Sequence, residues 1–340
     1  MTAAPARAVV VIAHRGASAL LPEHTLAAYA RAIDDGADFV EPDLVCTRDG
    51  VLVARHEDEI GGTTDVAQRP GFAERKATRE IDGAPVTGWF ASDFTLAELR
   101  TLRARERLPH VRSTAHDGEF GIPTFAEIVE LVAARRAPGG RVVGLMPELK
   151  TPSYFRARGL AMEARLLAQL DAHELTRRAP VVIQSFETGN LRWLRERLDD
   201  RGNVRLLQLI DKPDRHPADA PGLTYGAIAT AQGLRDVARY AHIVGVPRRS
   251  VVPVDAQDRF EPPTPLVADA QAAGLQVYAY TFRPENAHLP RALWDGDDPR
   301  TVHAAGSIAE IRAALAAGID GFFTDDPAIG RAALEAHGAR

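Results

Sequence analysis

Short apolar runs recur along the chain with longer amphipathic stretches between them, and this alternation is what most limits its fold. The runs fall at 9–13, 39–45, 51–55, 142–148, 181–184, 205–210, 243–246, 276–281 and 321–324. Helical segments fit between most of them, at 25–35, 124–136, 157–170, 188–198, 233–240, 265–273 and 307–316. Thr25 is a suitable N-cap for the first, which ends near Gly36. Repeated strand-helix units predict an α/β fold with parallel strands, and nine candidates are one more than an eight-stranded barrel needs. Asp49-Gly50 accounts for the surplus: it is a strong hairpin signal, so the segment at 51–55 is expected as an antiparallel return or a rim strand.

Residues 57–122 break the rhythm, being rich in Gly, Thr, Arg and Asp with Gly-Gly, Arg-Pro-Gly and His-Asp-Gly turns. They are expected as an insertion over one end of the barrel, between an early strand and the next barrel helix, with Trp89, Phe90 and Phe94 to pack it down. At 340 residues, 45% hydrophobic and 26% charged, residues 1–340 read as one elaborated domain around a sizeable core.

Charge narrows the partners. With 41 basic against 46 acidic residues and no run of Lys or Arg, nothing would track a nucleic-acid backbone. The single cysteine, Cys46, rules out an internal disulfide or a thiolate cluster, so oxygen atoms must hold any metal. The apolar stretch 9–13 is too short for a signal core or a membrane span. As written the chain reads as cytoplasmic; had a leader been removed, it would be periplasmic or extracellular.

Where parallel strands close a barrel, reacting groups gather at their carboxyl ends. His14, Glu41, Asp43, His56, Glu148 and Lys150 all fall at or just past such ends. Residues two apart on a strand share a face, so Glu41 and Asp43 point one way and Pro42 the other; the same holds for Glu148 and Lys150. Two inward carboxylates on one strand repel unless a cation or a shared proton lies between them, and the third, Glu148, favours the cation. Three carboxylates without Cys or a His-X-His pair suit Mg²⁺ or Ca²⁺ better than zinc. Two proton-transfer groups, a guanidinium at Arg15 and hard metal ligands are the equipment of phosphodiester cleavage.

The stretch 13–57, AHRGASALLPEHTLAAYARAIDDGADFVEPDLVCTRDGVLVARHE, closely resembles the opening of glycerophosphodiester phosphodiesterases, a TIM-barrel (β/α)8 family. Further matches are PELK at 147–150, QSF at 184–186, YAYTFR at 278–283 and GIDGFFTDDP at 318–327, so the resemblance spans nearly the whole chain. The Pro-Glu-His-Thr and Tyr-Thr-Phe-Arg forms resemble the longer bacterial branch, which includes exported members. The resemblance implies that His14 and His56 act as general acid and base, that Glu41, Asp43 and Glu148 hold one divalent cation, and that Arg15 and Lys150 bind phosphate. It also implies hydrolysis of glycerophosphodiesters such as glycerophosphocholine and glycerophosphoethanolamine to glycerol 3-phosphate and an alcohol.

The chain departs from the pattern at two places. His56-Glu57 replaces the usual His-Asp, one methylene longer, which bears on the hydrogen bond orienting His56; Arg283 stands where many members carry Asn. Gln184 is expected as a polar contact to substrate and Tyr280 as a wall of the glycerol pocket, while Glu23 and His24 shape the loop beneath His14. The remaining histidines match no motif and read as surface or structural. Two rival readings are a phosphodiesterase of lysophospholipid or phosphoinositol headgroups, which would need an apolar rim, and a phosphate-ester binding protein without turnover.

Overall fold

A computed structural model describes residues 9–198 and 201–338; the N-terminal octet that precedes the first apolar run lies outside them. Strands β1 (Val10–His14), β2 (Phe39–Glu41), β3 (Asp43–Cys46) and β4 (Leu52–Ala54) come first, followed by a hairpin of β5 (Ala77–Ile81) and β6 (Ala84–Gly88). After these come β7 (Gly144–Leu145), β8 (Glu148–Leu149), β9 (Val181–Ser185), β10 (Val204–Leu209), β11 (Ile243–Pro247), β12 (Gln276–Phe282) and β13 (Gly321–Thr324). The sheet runs β10-β11-β12-β13-β1-β2-β7-β9, and the β9–β10 pairing closes it into a parallel eight-membered barrel, with β3 and β8 continuing two of its staves. This is the TIM barrel expected from the strand-helix rhythm. No helix among the described residues is long and apolar enough to cross a membrane.

Two core layers follow from strand alternation. Ile12, Phe39, Met146, Val182, Leu207, Ile243, Tyr278 and Phe323 fill the barrel interior. Their neighbours in sequence, among them Val11, Val40, Leu145, Ile183 and Phe322, pack outward against the helices.

Where prolines and glycines intervene, the segments differ from expectation. The stretch 39–45 is two short strands broken at Pro42, and 142–148 shortens to β7 with β8 beginning beyond Pro147. Proline removes a ladder donor, so each stave kinks where it reaches the rim. The helix expected at 157–170 divides into Pro152–Ala157 and Glu163–Ala172, because Gly159 at φ 74° ends the first. The helix Pro327–Gly338 was not anticipated, although Asp326-Pro327 is a good start signal and the Asp326 carboxylate accepts from Ile329 N at 3.1 Å. The segment 51–55 does return antiparallel, β4 pairing with β3 from Cys46↔Leu52 to Leu44↔Ala54.

Within 57–122, Phe90 and Phe94 are wholly buried and Phe94 meets Phe72 edge-on at 5.0 Å. Trp89 is partly buried, its indole N–H donating to Phe72 O at 2.7 Å. These aromatics are used for packing and do not form the apolar rim that a lysophospholipid reading would need. The β5–β6 turn at Asp82-Gly83 takes positive φ at both residues, the two-residue turn whose twist suits a hairpin.

Candidate active site

Interior parity places the chemistry. Two residues beyond Ile12 comes His14, two beyond Phe39 comes Glu41, two beyond Met146 comes Glu148, and two beyond Val182 comes Gln184. Each therefore faces the barrel axis one layer above the apolar plug, at the carboxyl end of its strand. Strand register then sets them side by side: His14 opposite Glu41, Asp43 opposite Glu148, and Glu148 opposite Gln184. They line a cavity of about 340 Å³ with Arg15, His56 and Tyr280. A larger depression of about 630 Å³, lined by Val142, Glu174 and Pro180, lies where strands begin and gathers no comparable charged set.

Glu41, Asp43 and Glu148 are buried, with ligand oxygens all within 4.8 Å of one another. Burial and the neighbouring Asp43 and Glu148 carboxylates push the Glu41 carboxyl well above its ordinary range. Glu148 is raised by burial too, although Lys150 Nζ lies 2.7 Å from its Oε1 and pulls the other way. Asp43 stays ionised despite burial, with Lys150 nearby and His24 Nε2 at 2.9 Å. The Gln184 carbonyl oxygen is buried beside them without a hydrogen-bond partner, while its amide nitrogen donates to Glu41 Oε1 at 2.9 Å. An all-oxygen cluster that carries too much negative charge for its burial fits a hard divalent cation, with Glu41, Asp43 and Glu148 as its holders.

Each histidine is backed by a carboxylate through Nδ1. His14 Nδ1 meets Asp325 Oδ1 at 2.6 Å, and His56 Nδ1 meets Glu57 Oε1. An anionic partner there favours the Nδ1–H tautomer and leaves Nε2 for proton transfer. Burial and Arg15 push His14 down to about 4, and burial with Arg15 and Lys150 takes His56 to about 3, so both rings are neutral near pH 7 when no ligand is bound. Asp325, although burial raises it, is held well below the carboxylate range by Arg283 and Arg112.

Arg15 sits at φ 62° with Gly16 at φ 89°, a left-handed pair that turns the chain sharply after β1. Its amide donates to Glu41 Oε2 at 2.9 Å and its Nη1 to Glu23 Oε2 at 2.9 Å, which fixes the guanidinium at the cavity wall. His24, expected to shape the loop, is wholly buried and joins Asp43 to the Tyr29 hydroxyl at 2.7 Å. Arg283 donates to Asp325 Oδ2 at 2.8 Å, and Tyr280 hydroxyl to Ile210 O at 2.5 Å.

The sequence profile of the glycerophosphoryl diester phosphodiesterase family matches residues 14–329. The chain belongs to that family. It is 38% identical to a glycerophosphodiester phosphodiesterase of Arabidopsis thaliana, over 82% of this chain and 75% of that one. Identity to a glycerophosphodiester phosphodiesterase of Haemophilus influenzae is 29%, covering 81% of this chain and 79% of the other. Among solved structures, a putative glycerophosphoryl diester phosphodiesterase of Silicibacter pomeroyi superposes with a TM-score of 0.68 at 24% identity, covering 98% of this chain and 95% of that one. An Oleispira antarctica phosphodiesterase in complex with the product sn-glycerol-3-phosphate gives 0.60 at 20% identity, with 96% of each chain covered. This member of the family is accordingly an enzyme, a phosphoric diester hydrolase.

Three residues that contact the histidines or their carboxylates have no assigned role in the sequence reading. Asp325 lies just past β13 within the matched GIDGFFTDDP run, a strand-end position that could have marked it. Arg107 and Arg112 had no local signal, since their partners are remote in the chain.

Proposed function

We propose that the protein hydrolyses glycerophosphodiesters, glycerophosphocholine and glycerophosphoethanolamine among them, to sn-glycerol 3-phosphate and the free alcohol. The observation that carries this reading is two carboxylate-backed histidines lining the same cavity as three clustered carboxylates and a fixed arginine. Residues 1–340 are read as one catalytic unit, with 57–122 inserted into it.

Arg15 and Lys150 supply the positive field for the phosphate, and the arriving anion offsets the cationic charge that adds to burial in holding His14 and His56 neutral, so that one of them can take up a proton. Tyr280 lines the same cavity as a wall for glycerol, and Arg283, which also lines it, bears on the headgroup. One histidine takes the proton from the glycerol hydroxyl next to the ester, and that oxygen attacks phosphorus. The other histidine, protonated at Nε2 once the phosphate is bound, gives that proton to the departing alcohol oxygen, leaving a cyclic phosphate. Water then opens the ring with the two histidines exchanging roles, which returns both to their starting states. A divalent cation held by Glu41, Asp43 and Glu148, Mg²⁺ or Ca²⁺, would stabilise charge on the phosphate oxygens when bound. Gln184 lines the cavity as a polar contact for substrate, and its amide, donating to Glu41 Oε1, also orients that carboxylate.

The test is release of glycerol 3-phosphate from the two diesters with Mg²⁺, with Ca²⁺ and with chelator, beside His14→Ala and His56→Ala. The expected result is metal-dependent release that falls by about 10²- to 10⁴-fold in kcat in each variant. Near-normal turnover in either variant would remove that histidine from the mechanism. No release under any condition would reject the substrate class.

A further inference from the structure

Two arginines five residues apart in one loop of the segment 57–122 each end on the carboxylate that backs one of the two histidines. Arg107 grips Glu57 with both terminal nitrogens, Nη1 to Oε1 at 2.9 Å and Nη2 to Oε2 at 2.7 Å, while that same Oε1 meets His56. Arg112 Nη2 reaches Asp325 Oδ2 at 2.6 Å, leaving Oδ1 for His14. Neither arginine is a free surface cation. Arg107 is itself anchored on Glu23 by Nε at 2.8 Å and Nη2 at 2.6 Å, and Arg112 on Glu285 by Nε at 2.5 Å and on Ser18 O at 2.8 Å. The loop between them is drawn tight, with Val111 N and Arg112 N both donating to Leu108 O at 2.8 Å.

We propose that Arg107 and Arg112 are positioning residues for His56 and His14 respectively, so that the docking of this single loop orients both imidazoles; the proposal rests on the reading of those histidines as the proton-transfer pair. A carboxylate turns freely about its last bond, and a glutamate has one rotatable bond more than an aspartate. A guanidinium fork holds the carboxylate plane and so decides where its remaining lone pairs point. Glu57 needs this more than Asp325, because its side chain is 41% exposed against 2% for Asp325. Without Arg107 it would turn to water and release Nδ1 of His56. Asp325 also has Arg283 at 2.8 Å, so its arm is the better supported of the two.

The prediction separates orientation from both substrate contact and folding. In the full chain with metal present, Arg107→Met should lower kcat about 10- to 100-fold with KM held within about threefold, as for other groups that orient a reacting side chain. Placed on a Glu57→Gln background it should cost less than about twofold further, because its route to His56 is already cut. Arg107→Lys should recover part of the loss, having one point charge in place of a fork. Nitrogen-15 spectra of the imidazoles should show the Nδ1–H tautomer of His56 eroded in Arg107→Met while His14 is unchanged, and the converse in Arg112→Met. Full additivity with Glu57→Gln, a loss confined to KM, or unaltered imidazole signals would overturn the proposal. Should buried Arg112→Met fail to fold, the Arg107 arm, a quarter exposed, still decides it. Loss of turnover in His14→Ala and His56→Ala with wild-type kcat and spectra in the arginine variants would reject this inference alone. Retained turnover in the histidine variants would reject the reading beneath it.

Discussion

Glu41 and Glu148 carry raised carboxyl pKa values because burial and the neighbouring Asp43 carboxylate disfavour charge, and a cation is what reverses that preference. Metal binding should therefore expel protons. Calorimetric titrations with Mg²⁺ in buffers of different ionisation enthalpy should give different apparent heats near neutral pH; identical heats would mean that the cluster was already fully ionised. Glu41→Gln should lower metal affinity more than about tenfold while shifting metal-free unfolding by no more than about 1 kcal/mol, since burial beside Asp43 and Glu148 already disfavours charge on the carboxyl it replaces. Unchanged affinity in calorimetry would reject Glu41 as a ligand. These candidates were legible in sequence because their strand-end positions and i, i+2 spacing are local properties. Asp325 shares that strand-end position, but its pairing with His14, 311 residues away, and the role of the two arginines are not local properties.

Elements set how accurately those side chains are presented. The turn after β1 packs directly on the helix Leu26–Asp34: a Cβ added at Gly16 would lie 2.7 Å from Ala28 C and 2.8 Å from its Cβ, at a φ of 89° that side chains avoid. Gly16→Ala should thus cost about 1–3 kcal/mol in chemical denaturation and displace Arg15 and His14, lowering kcat as well. A variant with unaltered stability and turnover would show that the turn can relax away from the helix. In the segment 57–122, Phe94→Ala should cost about 3–5 kcal/mol, because the ring is fully buried against Phe72. Denaturation midpoints near wild type would mean that this segment folds apart from the barrel. Its aromatic content predicted that it packs, and Asp82-Gly83 carries a local hairpin signal, yet no periodic pattern could reveal its short helical turns.

Over the whole molecule, buried charge makes stability depend on pH in two opposite senses. Asp325 and Glu23 are held below the ordinary carboxylate range by Arg112, Arg283, Arg15 and Arg107 in spite of burial. Their stabilisation is present above the unfolded-state pKa of about 4 and is lost as pH falls toward the lower folded values. Glu41 and Glu148 have raised folded values, so their metal-free contribution weakens as pH climbs from about 4.3 through those values. The difference in Tm between metal-loaded and chelated protein should consequently widen with rising pH across that window, measured by scanning calorimetry; a constant difference would contradict the assignment. The sequence alone determined the strand-helix rhythm, the barrel that eight such units close into, and the strand-end residues facing its axis. Alternation and spacing are short-range, and one chain carries them complete. Only the tertiary structure decided that Asp325 backs His14 and that one loop braces both carboxylates, because side-chain ion pairs between remote segments form where closure of the barrel and docking of residues 57–122 bring their ends within about 3 Å.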